Sequence, residues 1–262
     1  MKTHSHLETA AGRWLAWPAA LLLGLVLLGA TVPAAAGGSA ARKLPPKFEK
    51  PPYSLMSLSV GHPNAGWQVR AIRLKPRAGL KLKGSKRFAW GHPALVKMLY
   101  RTARDIRRSV KGTTMLVGDL SRKEGGPLAG HASHQSGRDA DVGFYVKNKK
   151  GRRVLPKRFI AFDGSGKAKD GSGYQFDDYA NWLLVQCWLR DHRAGISHIF
   201  VSRPLRKRLL DFARTRPAFE KYLAEAEQLL KQPEDSAAHD DHFHVRISCP
   251  KRQAEICHEQ PR

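Results

Sequence analysis

Between Asp241 and Ser248 the chain alternates: Phe243, Val245 and Ile247 fall on one side, His242, His244 and Arg246 on the other. A period of two predicts a half-buried strand whose polar face carries two imidazoles. A second alternation sets Val142, Phe144 and Val146 against Asp141, Gly143 and Tyr145, which predicts a strand starting at Asp141. From Pro93 to Val110 apolar residues fall at 95, 98, 99, 106 and 110, a helical spacing with Pro93 in the first turn. Further strands are expected over Tyr53–Val60, Trp67–Leu74, Thr113–Val117 and Ile196–Ser202, and further helices from Asp177 or Asp178 to about His192, over Leu205–Thr215 and over Pro217–Gln232. Residues 147–175 are polar and rich in glycine, so a long loop is expected there, either a wall of a cleft or an ordinary insertion. Strands and helices mixed without a regular strand–helix–strand alternation indicate an α+β domain.

The ends of the chain read differently. Lys2 and Arg13 precede a mostly apolar run from Leu15 to Ala30, and Val32-Pro33-Ala34-Ala35-Ala36 offers small-residue cleavage sites. Residues 1–36 are therefore expected to be a secretory signal peptide cut near Ala34–Ala36. The apolar run is short for a spanning helix, which needs about 20 residues. Residues 37–52, rich in Gly, Ala, Lys and Pro, are expected to be a flexible start to the mature protein. Residues 53–262 are then expected to form one domain, long enough to bury a core and, on the chemistry described below, catalytic.

Charge narrows the class of partner. The 262 residues hold 46 Lys and Arg against 22 Asp and Glu, a net charge of +24. A surface this basic attracts polyanions; it serves either solubility alone or, after export, attraction to the anionic polymers of a cell envelope, which is the expected partner. Nucleic acid suits the charge equally, but an export signal argues against it, and no helix-turn-helix, zinc-finger spacing or aromatic-basic platform is present. Three cysteines leave one over. Cys249 and Cys257 lie close together in a chain bound for an oxidising compartment, so a disulfide between them is expected. Cys187, inside the apolar run Trp182–Leu189, is expected to be a buried free thiol.

The candidate chemistry sits in two blocks, Gly130-His131-Ala132-Ser133-His134-Gln135 through Asp141, and His239-Asp240-Asp241-His242-Phe243-His244. They contain five of the twelve histidines, with aspartates alongside. Histidine and aspartate gathered in this way are a zinc ligand set. Two nitrogens and one carboxylate would leave a fourth position for water, the pattern of a catalytic site.

The order and separation of these blocks, with Gly118-Asp119, Gly125-Gly126-Pro127 and the run Val245-Arg246 to Cys249-Pro250, resemble the penicillin-insensitive murein endopeptidases. Those belong to the zinc peptidases that include lysostaphin, the D-Ala-D-Ala peptidases and the hedgehog domain. The resemblance covers roughly residues 50 to 250 and implies a small antiparallel sheet with zinc on one face and helices on the other. It implies Zn2+ held by His134, Asp141 and His244, and places His131, His239 and His242 in the active site. His242 shares a strand face with His244 and is the expected general base, with His239 assisting it or stabilising an oxyanion. His131 is open between a fourth ligand, a substrate contact and an orienting role. The last is preferred, because a fourth protein ligand would compete with water. Arg246 is open between pairing with a substrate carboxylate and standing outward as a solvated arginine. The implied activity is D,D-endopeptidase cleavage of D-alanyl-diaminopimelate cross-links in peptidoglycan, in the periplasm or envelope. The alternatives are a D,D-carboxypeptidase or other wall amidase on the same site, or a non-catalytic zinc-binding envelope protein.

Overall fold

A computed structural model describes residues 42–234 and 237–260. The expected signal segment lies outside the described residues. The centre of the domain is a six-stranded sheet. Its strands are β1 Leu80–Leu82, β2 Met115–Val117, β3 Asp139–Gly143, β4 Ile196–Phe200, β5 Leu230–Lys231 and β6 His242–Ile247. The spatial order is β5-β4-β6-β3-β2-β1. The helices are α1 Pro93–Ser109, α2 Asp178–Leu189, α3 Arg203–Arg214 and α4 Leu223–Leu229.

The α+β class is as expected, but the small antiparallel sheet is not what forms. The three central pairings are antiparallel, whereas β1 with β2 and β4 with β5 are parallel. The cause is the connections. α1 carries the chain from β1 back to the same end before β2, and α3 with α4 do the same between β4 and β5; such helical crossovers enforce parallel pairing. The helix expected over Pro217–Gln232 is divided accordingly: a 3-10 segment Pro217–Tyr222, then α4, then edge strand β5.

The alternation in β6 has the expected result. Phe243, Val245 and Ile247 are fully buried on the helix-covered face, where the Phe243 ring meets Trp188 of α2 edge-on at 5.6 Å. Leu95, Met98, Leu99 and Ile106 of α1 belong to the same core. β3 starts two residues earlier than expected and is buried along its whole length, because the sheet covers it on both edges and its polar face is covered as well.

Residues 147–175 are not a bare loop. Val146–Lys147, Arg153–Val154 and Gln175–Phe176 make a small antiparallel sheet. Phe162 and Phe176 pack with Phe144, ring centroids 6.2 and 5.0 Å away. Isolated aromatic anchors between Gly-Ser turns carry no periodicity, which is why the pattern of the sequence does not display them. In the stretch expected to be flexible, Pro46–Glu49 forms a 3-10 turn and Phe48 is buried against Leu58 and Ile256. Cys249 and Cys257 are joined by a disulfide next to this cluster, and Cys187 is free. No helix among the described residues is long and apolar enough to cross a membrane.

His92 caps α1, its Nδ1 accepting from the Ala94 amide at 3.2 Å. Burial pushes its pKa down to about 4, with the Arg138 charge acting the same way. In the unfolded chain the ring titrates near 6.5, so between about 6.5 and about 4 the unfolded state binds more protons. This contribution to stability is therefore present above pH 6.5 and lost as pH falls towards 4. A His92→Asn variant keeps a capping side chain without the titration. Denaturant unfolding at pH 7 and pH 4.5 should show wild type losing more stability than the variant, by on the order of 2 kcal/mol.

Candidate functional site

The two histidine blocks meet on the polar face of the sheet. β3 and β6 pair so that His244 lies opposite Asp141 and Arg246 opposite Asp139. The loop before β3 delivers His131 and His134. His134 sits at φ +68, in the left-handed region that non-glycine residues rarely adopt. It is held there by hydrogen bonds at both ends: the Ser121 hydroxyl donates to its carbonyl, and its own Nδ1 donates to the Leu120 carbonyl at 2.5 Å. The loop closes through Gly137 at φ +75, where a Cβ would lie 1.8 Å from Gln68 Oε1.

Four imidazoles converge on the Asp141 carboxylate. His134 Nε2 is 3.2 Å from Oδ1, His242 Nε2 3.4 Å and His244 Nδ1 3.9 Å, while His131 Nδ1 is 3.7 Å from Oδ2. The second nitrogen of each of these rings is engaged elsewhere. His244 Nε2 meets Asp139 Oδ1 at 2.7 Å, His242 Nδ1 meets Asp241 Oδ1 at 2.5 Å, and His131 Nε2 meets Asp119 Oδ2 at 3.3 Å. Three carboxylates and the Leu120 carbonyl thus stand behind the rings and orient them towards the Asp141 carboxylate.

This arrangement leaves His134 Nε2 and Asp141 Oδ1 buried without a hydrogen-bond partner among the described residues. With Nδ1 donating to Leu120, a neutral His134 turns a lone pair towards the carboxylate, and two acceptors 3.2 Å apart require a proton or a cation between them. The donor set of imidazole nitrogen and carboxylate oxygen thus fits a metal ion. The ligand atoms of His131, His134 and Asp141 all lie within 4.8 Å of one another, so His131 is as close to this point as the other groups.

The electrostatics follow from burial and charge together. Burial pushes the Asp141 pKa up, but His134 and His242 outweigh it and hold the carboxyl well below its usual range. Burial pulls His242 down, while hydrogen bonds and charge from Asp141 and Asp241 raise it to about 9. Burial takes His244 down to about 4, against the hydrogen bond it makes to Asp139. His239, at φ +50, is lowered by burial and then by His242, whose ring lies 5.1 Å away.

Three contributors escape a reading of the motifs. Asp139 accepts from both His244 and Arg246, the latter Nε at 2.6 Å, which ties the candidate ligand and the candidate substrate-binding arginine to one buried carboxylate. Asp241 orients His242. Phe159, from the long polar segment, stacks on His242 with centroids 5.0 Å apart, and also lies against Gly118 and Gly143, where a Cβ would lie 2.8 Å from the ring. The aspartates are visible in the motifs as neighbours of the histidines. Phe159 has no local signal. His131, His134, Asp141, His239, His242, His244 and Arg246 all line one cleft of about 630 Å³.

The family model of penicillin-insensitive murein endopeptidase matches residues 59–262. Proteins named penicillin-insensitive murein endopeptidase are similar to the chain. One from Yersinia pestis is 28% identical over 181 residues, covering 66% of this chain and 59% of the relative. One from Pectobacterium atrosepticum is 27% identical over 183 residues, covering 68% and 59%. One from Haemophilus influenzae is 29% identical over 178 residues, covering 65% and 55%. The match therefore spans less than two thirds of each relative's own length.

NMR titration of the metal-free protein should find the His242 ring with a pKa near 9. Asp241→Asn removes a carboxylate that favours the imidazolium, so it should lower that value. An unchanged value would show that Asp241 does not act on the ring.

Proposed function

The chain belongs to the penicillin-insensitive murein endopeptidase family, and from that premise we propose that it hydrolyses peptide cross-links of peptidoglycan as a zinc-dependent D,D-endopeptidase. The observation that carries the reading is the convergence of four imidazoles on Asp141 in one cleft, with His134 Nε2 and Asp141 Oδ1 lacking hydrogen-bond partners among the described residues. His134, Asp141 and His244 are the proposed ligands, with His131 beside them, oriented by Asp119. When bound, the metal supplies Lewis acidity and lowers the pKa of a water molecule towards about 7.

The chain's own residues do the rest. Asp241 holds His242 so that Nε2 faces the site, the placement a proton acceptor and donor needs. Phe159 covers one face of that ring and limits its rotation. His239 is proposed to stay neutral beside it and to contact the developing oxyanion. Asp139 fixes His244 and, through Nε, fixes Arg246, which is nearly buried among the cleft-lining residues and is proposed to pair there with a substrate carboxylate. An envelope or periplasmic location goes with this substrate, and residues 1–36 are proposed as the cleaved export signal.

Metal analysis should find one zinc per chain. His134→Ala should lose both metal and activity. His242→Ala should keep the metal and lose hydrolysis by about 100- to 10,000-fold. His131→Ala should keep the metal if the ring only orients, whereas a metal-free His131→Ala protein would make it a ligand. Asp139→Asn should weaken metal binding by about 10- to 100-fold without removing a ligand. Full activity after complete metal removal would sink the reading.

Mass analysis of fragments from purified peptidoglycan tests the bond. Cross-linked dimers should become monomers through cleavage at D-alanyl-diaminopimelate. Release of terminal D-alanine alone would make the protein a carboxypeptidase instead.

A further inference from the structure

Helix α1 buries one side in the core and carries a basic stripe on the other. Lys97, Arg101, Arg104, Arg108 and, just past the helix end, Lys111 recur at alternating steps of four and three. That spacing lines them along one face, about 16 Å long from Lys97 to Arg108 at 1.5 Å per residue. Like charges at these steps cost helix stability, and among the described residues only Arg101 and Arg104 of the stripe have ion-pair partners that offset this, Asp191 and Asp105.

The stripe is flanked by two concavities. One, of about 560 Å³, lies between α1 and the segment around Arg77 and Leu80. The other, of about 640 Å³, lies between α1 and residues 187–193 after α2. Together they are lined by seven lysines and arginines and only two aspartates. Both aspartates are already engaged: Arg101 holds Asp191 through two hydrogen bonds at 2.7 and 2.8 Å, and Arg104 holds Asp105. Lys97, Arg108 and Arg193 have no ion pair among the described residues.

Parts of this surface are fixed in advance. Arg101 is anchored by Asp191, and the Arg77 guanidinium lies 3.7 Å over the Tyr100 ring, whose hydroxyl bonds the Lys75 backbone. Side chains already immobilised lose less entropy when a ligand binds. Thr102, 1% exposed and with a hydroxyl that has no hydrogen-bond partner among the described residues, also lines the larger concavity.

We propose that the outer face of α1 with its two concavities is a docking site for a linear, phosphate-bearing polymer. Six of the seven cations are arginines, whose planar forks match phosphate oxygens. A single-stranded nucleic acid is disfavoured because it needs aromatic faces for its bases, and the Tyr100 ring is covered by Arg77. A lipid surface is disfavoured because the cations line concave walls and, among the described residues, no large exposed apolar side chain stands beside them. The site lies on the helix-covered side of the sheet, away from the histidine cleft on its polar face. A chain docked there leaves the cleft open. That the polymer is one of the cell envelope rests on the function proposed above; the phosphate site does not.

The test uses the full chain and poly(glycerol phosphate) as probe, with binding read by calorimetry over a salt series. The triple variant Lys97→Glu, Arg104→Glu, Arg108→Glu is compared with a triple of equal charge change, Lys150→Glu, Lys251→Glu, Arg252→Glu, at exposed positions elsewhere. The α1 triple should weaken binding by about tenfold or more at 0.1 M salt and reduce the slope of log affinity against log salt by about two to three. The control triple should change affinity less than about twofold, and both should keep wild-type circular dichroism and hydrolysis of a soluble cross-linked muropeptide. Equal weakening in both triples would overturn the proposal, because the charge would then act diffusely. Equal or tighter wild-type binding to a single-stranded oligonucleotide, to polyglutamate or to phosphatidylglycerol vesicles would overturn it as well. If wild type binds through α1 but cleaves no muropeptide, the peptidase reading fails and the phosphate site stands.

Discussion

A buried carboxylate surrounded by imidazoles is the constraint on which the rest depends. Asp141 is 4% exposed. Taking an ionised carboxylate out of water is costly unless cationic or hydrogen-bonding groups replace the solvent. Here the replacement is four histidine rings, and each must be held with the right nitrogen inward. That requirement propagates outwards. Asp139 lies behind His244, Asp241 behind His242, Asp119 behind His131 and the Leu120 carbonyl behind His134. The site is therefore two layers deep, and three of the four groups in its outer layer are the scarce acidic residues of a very basic chain.

The strand pairing keeps those layers in register. Because β3 and β6 run antiparallel with His244 opposite Asp141, a slip by one residue would turn His242, His244 and Arg246 into the apolar core and Phe243 and Val245 into the cleft. The core opposes that slip: Phe243 is wedged between Trp188 and Phe144. The C-terminal segment adds a second lock. Arg138, fully buried, donates to the carbonyls of Ile247 and His258 and pairs with Glu259, so the end of the chain is tied to the loop that carries His134. The disulfide Cys249–Cys257 closes that segment on itself.

The long polar segment after β3 shows how a site can recruit from a distance. Its turns look like a mobile insertion, but Phe159 reaches back onto Gly118, Gly143 and His242, with the Lys83 ammonium 4.4 Å from the ring. Lys169 meets Asp240 at 2.7 Å, which binds the same segment to the strand entry of the second block. The glycines at 118 and 143 matter because a side chain at either position would occupy the space of the aromatic ring.

The sequence by itself determined the local periodicities and the chemical inventory. The alternation through Phe243, Val245 and Ile247, the helical spacing from Pro93 and the two blocks of histidine and aspartate are short-range properties, set by the geometry of strand and helix and by side-chain chemistry. Only the tertiary structure decided the mixed order of the sheet, since parallel pairing depends on where a crossover helix packs. It alone decided that Asp139 serves both His244 and Arg246, because one aspartate among several becomes a partner only when two distant strands are placed side by side. It also decided that Phe159 covers His242 and that α1 carries its cations between two concavities. Those are contacts between segments far apart in the chain, and no periodicity within either segment encodes them.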